Sequence, residues 1–371
     1  MFVQVRTIIQ ALEQWAPRSY ALPDDPVGLH IGSVNKEVRK VLVALDVTEN
    51  VVDEAIRKQA DLIVAHHPLL YRPLRRIDLD TPSGRVVAKC LQHDIAIYCA
   101  HTNLDIAPGG INDMMAEALG LKNIECLEPT GEDKLFKLVV YIPTDHLESV
   151  RQAIFDAGAG WIGAYSHCSF NVEGTGTFLP GEGTNPYTGE RGRLSEVAEV
   201  RMETVVPMSV LNQTVQAMKK AHPYEEPAYD LYALELEGFR YGLGRIGELS
   251  QPVMLEQFAD QVKTALDMSF VRVVGTSGTS IRKVAVLGGS GRRYITRAIQ
   301  AGADVFVTGD IDYHAAQDAL ASGLALVDAG HYAEKIMKTK VAEYLQKQIQ
   351  AQQAKTEVQI AESESDPFFV R

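Results

Sequence analysis

Short apolar runs alternate with amphipathic stretches at both ends of the sequence, and this alternation limits the possible folds more than any other feature. In the N-terminal part it predicts helices ending at Trp15 and covering 51–59 and 84–93, with strands at 41–45, 62–65 and 95–100. From residue 283 onward it predicts strands at 284–287, 305–307 and 324–327, and helices at 294–302 and 315–322. Such alternation is typical of mainly parallel sheets with helices on their faces. We therefore expect an α/β fold.

The middle of the sequence has a different pattern. It predicts strands at 134–142, 161–173, 194–205 and 229–236, and helices at 146–157 and 209–221. The order β-α-β-β-α-β is that of ferredoxin-like α+β domains. A stretch rich in glycine, threonine and proline, 174–192, is too long for a tight turn and predicts an extended hairpin tip.

These two patterns predict a split domain with an insertion. We interpret 1–130 and 238–371 as the two parts of one α/β domain and 131–237 as a ferredoxin-like domain inserted between them. The second part should end in a long helix and a tail. The tail, from about residue 346, should prolong that helix and then fray.

Composition excludes several classes of protein. The formal net charge of −12, without a concentrated basic patch, argues against a nucleic-acid partner. The 4 cysteines lack Cys-x-x-Cys spacing, which is typical of the reduced thiols of a cytoplasmic protein. No run approaches the ~20 apolar residues of a membrane helix. We therefore expect a soluble, cytoplasmic protein.

Two adjacent histidines, His66 and His67, close one predicted strand and are followed at once by Pro68. Neighbouring strand residues point to opposite faces, so both imidazoles can converge only where the strand has ended. Pro68 favours such a place because it removes a backbone donor and keeps His67 out of the helical region. Imidazole is a common ligand for zinc and similar ions. Alternatively, one histidine bonds backbone carbonyls and the other is a surface residue.

Further candidate ligands follow two other predicted strands. Asp105 lies beyond the strand at 95–100, while His331 and Glu334 follow the strand at 324–327. The last two are three residues apart at the start of a predicted helix, so they share a face. In open α/β sheets, ligands gather outside the carboxyl ends of the strands. Three imidazoles and two carboxylates exceed the needs of one tetrahedral zinc and suit two divalent ions, zinc first, with iron or manganese also open.

Weaker candidates also lie at strand ends. Gly288, Gly289, Gly291 and Arg292 form a glycine-rich turn before a helix, which indicates either a phosphate site or an ordinary strand-to-helix turn.

Two acidic residues and one more histidine complete the candidates. Asp310 or His314 could orient a ligand or carry a proton, although Asp310 could equally cap a helix. Asp46 could hold a ligating histidine in place or simply belong to a turn.

Several of these motifs resemble one known family. The segments His66-His67-Pro68, Thr102-Asn-Leu-Asp105, Thr308-Gly-Asp310 and Gly330-His-Tyr resemble those of the GTP cyclohydrolase I type 2 homologues, also called NGG-one-interacting-factor-three-like proteins. The early segment Asp25-Pro-Val-Gly-Leu is similar to the family's Asp-Asn-Val-Gly-Leu stretch, with Pro26 in place of asparagine. The motifs lie at both ends of the chain and not in its middle.

This resemblance implies a two-metal site formed by His66, His67, Asp105, His331 and the glutamate after His331. Many relatives place that glutamate four residues after the histidine, whereas Glu334 is at plus three. The implied activity is hydrolytic opening of the guanine imidazole ring of GTP by metal-activated water, and the implied assembly is a homohexamer. A metal-binding regulatory or scaffolding oligomer without turnover is the alternative.

The inserted segment carries a resemblance of its own. The stretch Ala221-His-Pro-Tyr-Glu-Glu-Pro227 resembles CutA proteins, relatives by fold of the PII signalling trimers. This resemblance implies a sensing or oligomerisation role for the insert, and a lid or spacer without its own ligand is the alternative.

Overall fold

The structure, a computed structural model, describes all 371 residues. Its strands are β1 (Val3–Gln4), β2 (Gly28–Ile31), β3 (Glu37–Val38), β4 (Lys40–Ala44), β5 (Leu62–Ala65), β6 (Ala96–Cys99), β7 (Lys122–Asp133), β8 (Leu135–Pro143), β9 (Ser169–Phe178), β10 (Ser195–Pro207), β11 (Tyr229–Ala233), β12 (Phe239–Met254), β13 (Arg272–Val274), β14 (Ser280–Ser290), β15 (Val305–Gly309), β16 (Ala325–Asp328) and β17 (Glu357–Ile360).

The α-helices are α1 (Val5–Trp15), α2 (Glu49–Lys58), α3 (Pro82–Gln92), α4 (Thr102–Ile106), α5 (Ile111–Ala118), α6 (Leu147–Asp156), α7 (Met208–Ala221), α8 (Leu255–Ala265), α9 (Ile295–Gln300), α10 (Tyr313–Ala321) and α11 (Met337–Ala351). Contacts divide the chain into a first unit, 1–131 with 241–371, and a second unit, 132–240. No helix combines the length and apolar character needed to cross a lipid bilayer.

The first unit contains two large sheets. One has the order β17-β4-β5-β6-β2, in which the first four strands are parallel and β2 is antiparallel to β6. The other has the order β13-β16-β15-β14-β12-β7, with β14, β15 and β16 parallel. Strands β5 and β16 are buried along their whole length, as expected for parallel strands covered on both faces. The predicted α/β class is confirmed.

Local signals explain where the helices of this unit begin. Thr48 accepts a hydrogen bond from the Val51 peptide N–H and so caps α2. Thr81 caps α3 in the same way, and Pro82 occupies its first turn, where no intrahelical N–H is needed. These helices pack on the first sheet, and the loops after its strands remain free to form a site.

The C-terminal tail differs from its prediction. It was expected to prolong the last helix and fray, but α11 ends at Ala351 and the chain then forms β17, parallel to β4. The peptide N–H groups of Glu362 and Ser363 donate to the buried Glu54 carboxylate, which fixes the chain after the strand. The alternation in β17 is too short to identify a strand without knowing that the edge of β4 is open.

The second unit follows the order β8-α6-β9-β10-α7-β11, and its sheet is antiparallel with the order β11-β8-β10-β9. Both helices pack on one face, where Leu138, Val140, Ile154 and Met202 form part of a common core. The strand predicted from residue 161 begins only at Ser169. Residues 162–165 form an isolated bridge instead, since the glycines around them favour turns.

We expect Glu54→Ala to destabilise the first unit by about 2–3 kcal/mol at neutral pH, because two peptide N–H groups and Lys58 would lose a buried ionic acceptor. Burial alone would raise the pKa of Glu54, but these hydrogen bonds lower it from 4.5 to about 2. The contribution is therefore complete above about pH 4.5 and is lost as the pH falls toward 2.

Denaturant unfolding of wild type and Glu54→Ala across this range measures the difference. Glu357→Ala, an exposed change on β17, is the control. A stability difference that does not shrink on acidification would contradict this account.

Candidate metal centre

The two adjacent histidines lie where β5 ends. The peptide N–H groups of His66 and His67 donate to the carbonyls of Ala44 and Leu45, at 3.2 and 2.8 Å, so the backbone still runs beside β4 as it leaves the sheet. His66 is fully buried, whereas the His67 side chain is 20% exposed. Their ring centroids are 4.9 Å apart. The strand end therefore brings both imidazoles to one place, as predicted.

Asp105 reaches the same place from the neighbouring strand. It lies on the short helix α4, which follows β6, and its Oδ1 is 3.7 Å from the Nε2 of His66. Asn112 donates to the backbone carbonyl of Asp105, at 2.9 Å, and holds this turn in position. Because β5 and β6 are parallel neighbours, their carboxyl ends present His66 and Asp105 side by side.

His331 and Glu334 come from the second sheet, after β16. They lie on a 3₁₀ turn, His331–Ile336, that precedes α11. A 3₁₀ helix has three residues per turn, so positions i and i+3 lie directly above one another. The plus-three spacing of Glu334 therefore places its carboxylate on the same side as the His331 ring.

The Glu334 carboxylate lies at the centre of the group. Its Oε2 is 3.0 Å from the Nε2 of His67, 3.3 Å from that of His331 and 3.6 Å from that of His66. The Glu334 side chain is only 3% exposed. The structure thus brings together all five residues predicted as metal ligands, which we call the ligand cluster.

The glycine-rich turn packs against this carboxylate. Gly288 and Gly289 are the last part of β14, and a Cβ at Gly289 would lie 2.7 Å from Oε1 of Glu334 and 3.2 Å from Nε2 of His331. Gly289 also has a φ of +63°. A side chain there would displace the carboxylate, so the glycine makes room for Glu334. The phosphate site predicted on Gly288, Gly289, Gly291 and Arg292 stays a prediction, and Arg292 pairs with Asp312 at 2.6 Å.

The imidazoles of His66, His67 and His331 are each held through Nδ1. His67 Nδ1–H donates to Asp46 and His331 Nδ1–H donates to Asp310, both at 2.8 Å. His66 Nδ1–H donates to the carbonyl of Ala100 at 2.9 Å. Such partners fix the orientation and tautomer of metal-binding histidines. All three Nε2 atoms are thereby left to face Glu334.

Asp310 contacts a predicted ligand, but His314 lies elsewhere. Asp310 has a φ of +57° just after β15, which turns its carboxylate toward His331. His314 is exposed on α10, where its ring packs edge-on against Tyr313. The structure does not bring His314 into the ligand cluster.

One further imidazole at this site, that of His101, was not among the candidates predicted from the sequence. The His101 ring centroid lies 5.1 Å from that of His66, and its Nδ1–H donates to Asp25 at 2.7 Å. Thr102 also donates to Asp25, through both its peptide N–H and its hydroxyl. His101 follows β6 as closely as His67 follows β5, and this position was the signal available in the sequence.

The cluster strongly perturbs its own protonation. Burial opposes ionisation of Glu334, but the surrounding imidazoles hold the pKa of this carboxyl well below its usual range. Burial also opposes charge on His67, yet Asp46 and Glu334 raise its pKa to about 10. The hydrogen bond to Glu334 raises the pKa of His331 to about 9. In the absence of a cation, the protonated imidazoles of His67 and His331 therefore compensate the negative charge of Glu334.

Two buried atoms of the cluster have no hydrogen-bond partner. They are the Nε2 of His66 and the Oδ1 of Asp105, and burying such atoms unpaired costs about 1–3 kcal/mol each. Burial raises the pKa of Asp105 to about 6. Two ligands of one tetrahedral zinc, each at about 2.0 Å, lie about 3.3 Å apart. The 3.0–3.7 Å separations in the cluster are therefore those of donor atoms around a metal ion.

The donor atoms of His66, His67 and Glu334 all lie within 4.8 Å of one another, close enough to hold one metal ion.

Comparison with known proteins identifies the family. The sequence profile of the Duf34/NIF3 (NGG1p interacting factor 3) family matches residues 3–367. The chain belongs to this family. The match includes the middle of the chain, which the short motifs did not cover.

Relatives in the Duf34/NIF3 family are similar over their whole length. A Halalkalibacterium halodurans protein named GTP cyclohydrolase 1 type 2 homolog is 54% identical over 363 residues, 98% of each chain. A Bacillus subtilis protein of the same name is 50% identical over 99% of this chain and 98% of its own. The crystal structure of a Bacillus cereus protein related to NIF3 has 49% identity and a TM-score of 0.94, with both chains fully covered.

We expect His67→Ala to lose most of the bound divalent metal, because it removes a ligand and leaves Glu334 without its nearest imidazole. The fold should persist, since His67 lies beyond the end of β5 and its side chain is partly exposed. Elemental analysis after gel filtration, with circular dichroism for folding, measures both. His93→Ala, an exposed change at the end of α3, is the control. Equal metal content in both variants would exclude His67 as a ligand.

Proposed function

We propose that this protein is a dinuclear metal-dependent hydrolase of the GTP cyclohydrolase type, which opens the imidazole ring of guanine. The observation that carries the proposal is the pair of buried, unpartnered atoms on His66 and Asp105 beside the Glu334 carboxylate. Polar atoms this deeply buried are nearly always satisfied, and a cation would satisfy both. The names of the H. halodurans and B. subtilis relatives support the reaction type.

The five residues of the ligand cluster would hold two divalent ions, zinc in the first place. Three imidazoles and two carboxylates are more donors than one tetrahedral ion uses, and a carboxylate with two oxygens, such as Glu334, can serve two ions. When bound, such ions lower the pKa of water from 15.7 toward about 7 and stabilise the charge that develops during hydrolysis.

Other residues of the protein orient the imidazoles and supply a proton. Asp46 and Asp310 hold His67 and His331 with Nε2 toward the cluster, so these two carboxylates are positioning residues. His101 stands beside His66, and its Nδ1–H donates to Asp25, which fixes the orientation of its ring. We assign His101 the role of proton donor to the ring nitrogen that leaves when the C8–N9 bond breaks. Asp310, already engaged by His331, fits that role less well.

The second unit and the assembly extend this proposal. The element order and sheet order of the second unit fit a ferredoxin-like module inserted into the sequence of the metal-binding unit. We propose a closed homo-oligomer, a hexamer, as the working form. A small-molecule nucleotide is the proposed substrate.

Formate release from GTP tests the activity. Ring opening consumes one water, and a second water releases formate, so formate should appear only with protein and divalent metal present. Asp105→Asn should reduce the rate by at least about 100-fold, because it keeps the shape but removes a charged ligand. Asp113→Asn is not a suitable control, since Asp113 pairs with Arg245. The exposed Asp260→Asn change on α8, whose carboxylate forms no ion pair, is better matched.

The variant His101→Gln distinguishes the role of a proton donor from that of a metal ligand. It should lower the rate while leaving the metal content at the wild-type level. Stoichiometric metal with no formate under any of these conditions would contradict the hydrolase and favour a regulatory, non-catalytic metal protein.

A further inference from the structure

The second unit contains a cavity that the proposed reaction does not use. It has a volume of about 620 Å³ and lies between the β9–β10 hairpin, its long tip and the turn after α7. Cavities that bind small molecules usually measure about 300–1,000 Å³. All of its lining residues belong to the second unit.

Aromatic rings form much of the wall. Tyr224 is the central ring, with centroids 6.1 Å from Phe178 and 6.2 Å from Tyr187. Tyr141 lines the same space. Centroid separations of 6.1 and 6.2 Å are those of rings in contact, so Phe178, Tyr187 and Tyr224 form one aromatic wall that lines the cavity.

A buried carboxylate lies among these rings. Glu199, on β10, is only 9% exposed. The Tyr224 hydroxyl donates to its Oε1 at 2.8 Å, and its Oε2 has no hydrogen-bond partner. This oxygen is not sealed in the core but faces the cavity, where it can accept a hydrogen bond from a ligand.

The fold makes room for this carboxylate. Gly176, on the adjacent strand β9, also lines the cavity, and a Cβ there would lie 2.1 Å from Oε2 of Glu199. Glycine within a strand weakens it and often marks a close approach. Here the close approach is that of the Glu199 side chain, which keeps its free oxygen at the cavity wall.

The charges around the cavity favour a cation. Glu173, Glu225 and Glu226 line it together with Glu199, while Arg201 is its one basic residue. Arg201 pairs with Glu203 at 2.9 Å, a carboxylate that Lys137 also contacts, and four glutamates line the cavity against this one arginine. An anionic ligand would meet several uncompensated carboxylates here.

The hairpin tip is tied over the cavity by one of these acids. The Asn185 peptide N–H donates to the Glu225 carboxylate, at 3.1 and 3.3 Å to its two oxygens. Tyr187, on the same tip, contributes one of the aromatic walls and packs edge-on against His146. The tip therefore has a defined position over the space that it encloses.

We infer that this cavity binds a small organic cation, a protonated amine carried on an apolar or aromatic body. The ammonium would donate to the free oxygen of Glu199 and lie against the ring faces of Tyr224 and Phe178, which attract cations. The apolar body would fill the remaining volume under the hairpin tip. This site is independent of the metal centre and of the proposed hydrolysis.

Saturation-transfer NMR on the full-length protein tests the inference with three amines: tryptamine, phenethylamine and spermidine. Tryptophol, which has a hydroxyl in place of the ammonium of tryptamine, is the neutral comparison. At least one amine should bind, and tryptamine should bind at least about tenfold more tightly than tryptophol. Competition among the amines should show one shared site.

Three variants locate the site. Glu199→Gln keeps the shape and removes the charge, so amine affinity should fall about tenfold or more. Phe178→Leu removes a ring and should weaken binding about threefold. Glu190→Gln, an exposed change on the hairpin tip that does not line the cavity, should bind as wild type does. Thermal unfolding checks that each variant is folded.

Failure of all three amines to bind would overturn the inference, including the case in which a second copy of the chain covers the cavity. Equal binding of tryptamine and tryptophol, or an unchanged affinity in a folded Glu199→Gln protein, would also overturn it.

Discussion

The Glu334 carboxylate among three imidazole nitrogens is the interaction on which the site depends. Its Oε2 lies 3.0–3.6 Å from the Nε2 atoms of His66, His67 and His331, and its side chain is almost fully buried. A buried carboxylate is unfavourable unless positive charge or a cation compensates it. The outer partners of these imidazoles, and the glycines against Glu334, maintain this arrangement.

The two-sheet architecture explains why one unit can build such a site. His66 and Asp105 follow parallel neighbours in one sheet, while His331 and Glu334 follow a strand of the other. Loops at the carboxyl ends of parallel strands carry ligands without breaking the sheets. The buried strands are rigid, and the turns after them carry the candidate metal ligands. Substitutions in the turns are therefore expected to alter binding more than folding.

Much of this could be predicted from the sequence, because the strong patterns were local. The apolar runs before His66 and Asp105 identified both strand ends, and α1 was predicted to its last residue. The 3₁₀ turn that aligns His331 with Glu334 was not predicted, because a three-residue spacing also places two side chains on one face of an α-helix. The role of Gly289 depends on contact with Glu334, and β17 depends on an open edge of β4. Such long-range contacts leave no local pattern.

The most direct test of a shared metal centre is anomalous X-ray diffraction from metal-loaded crystals, measured on both sides of the zinc absorption edge. The account predicts two anomalous peaks about 3.5–4 Å apart, the usual separation in two-metal sites, with the Glu334 carboxylate between them. His66, His67, Asp105 and His331 should complete the coordination. Absence of any peak at this position in loaded crystals, or peaks only at other residues, would contradict the central claim.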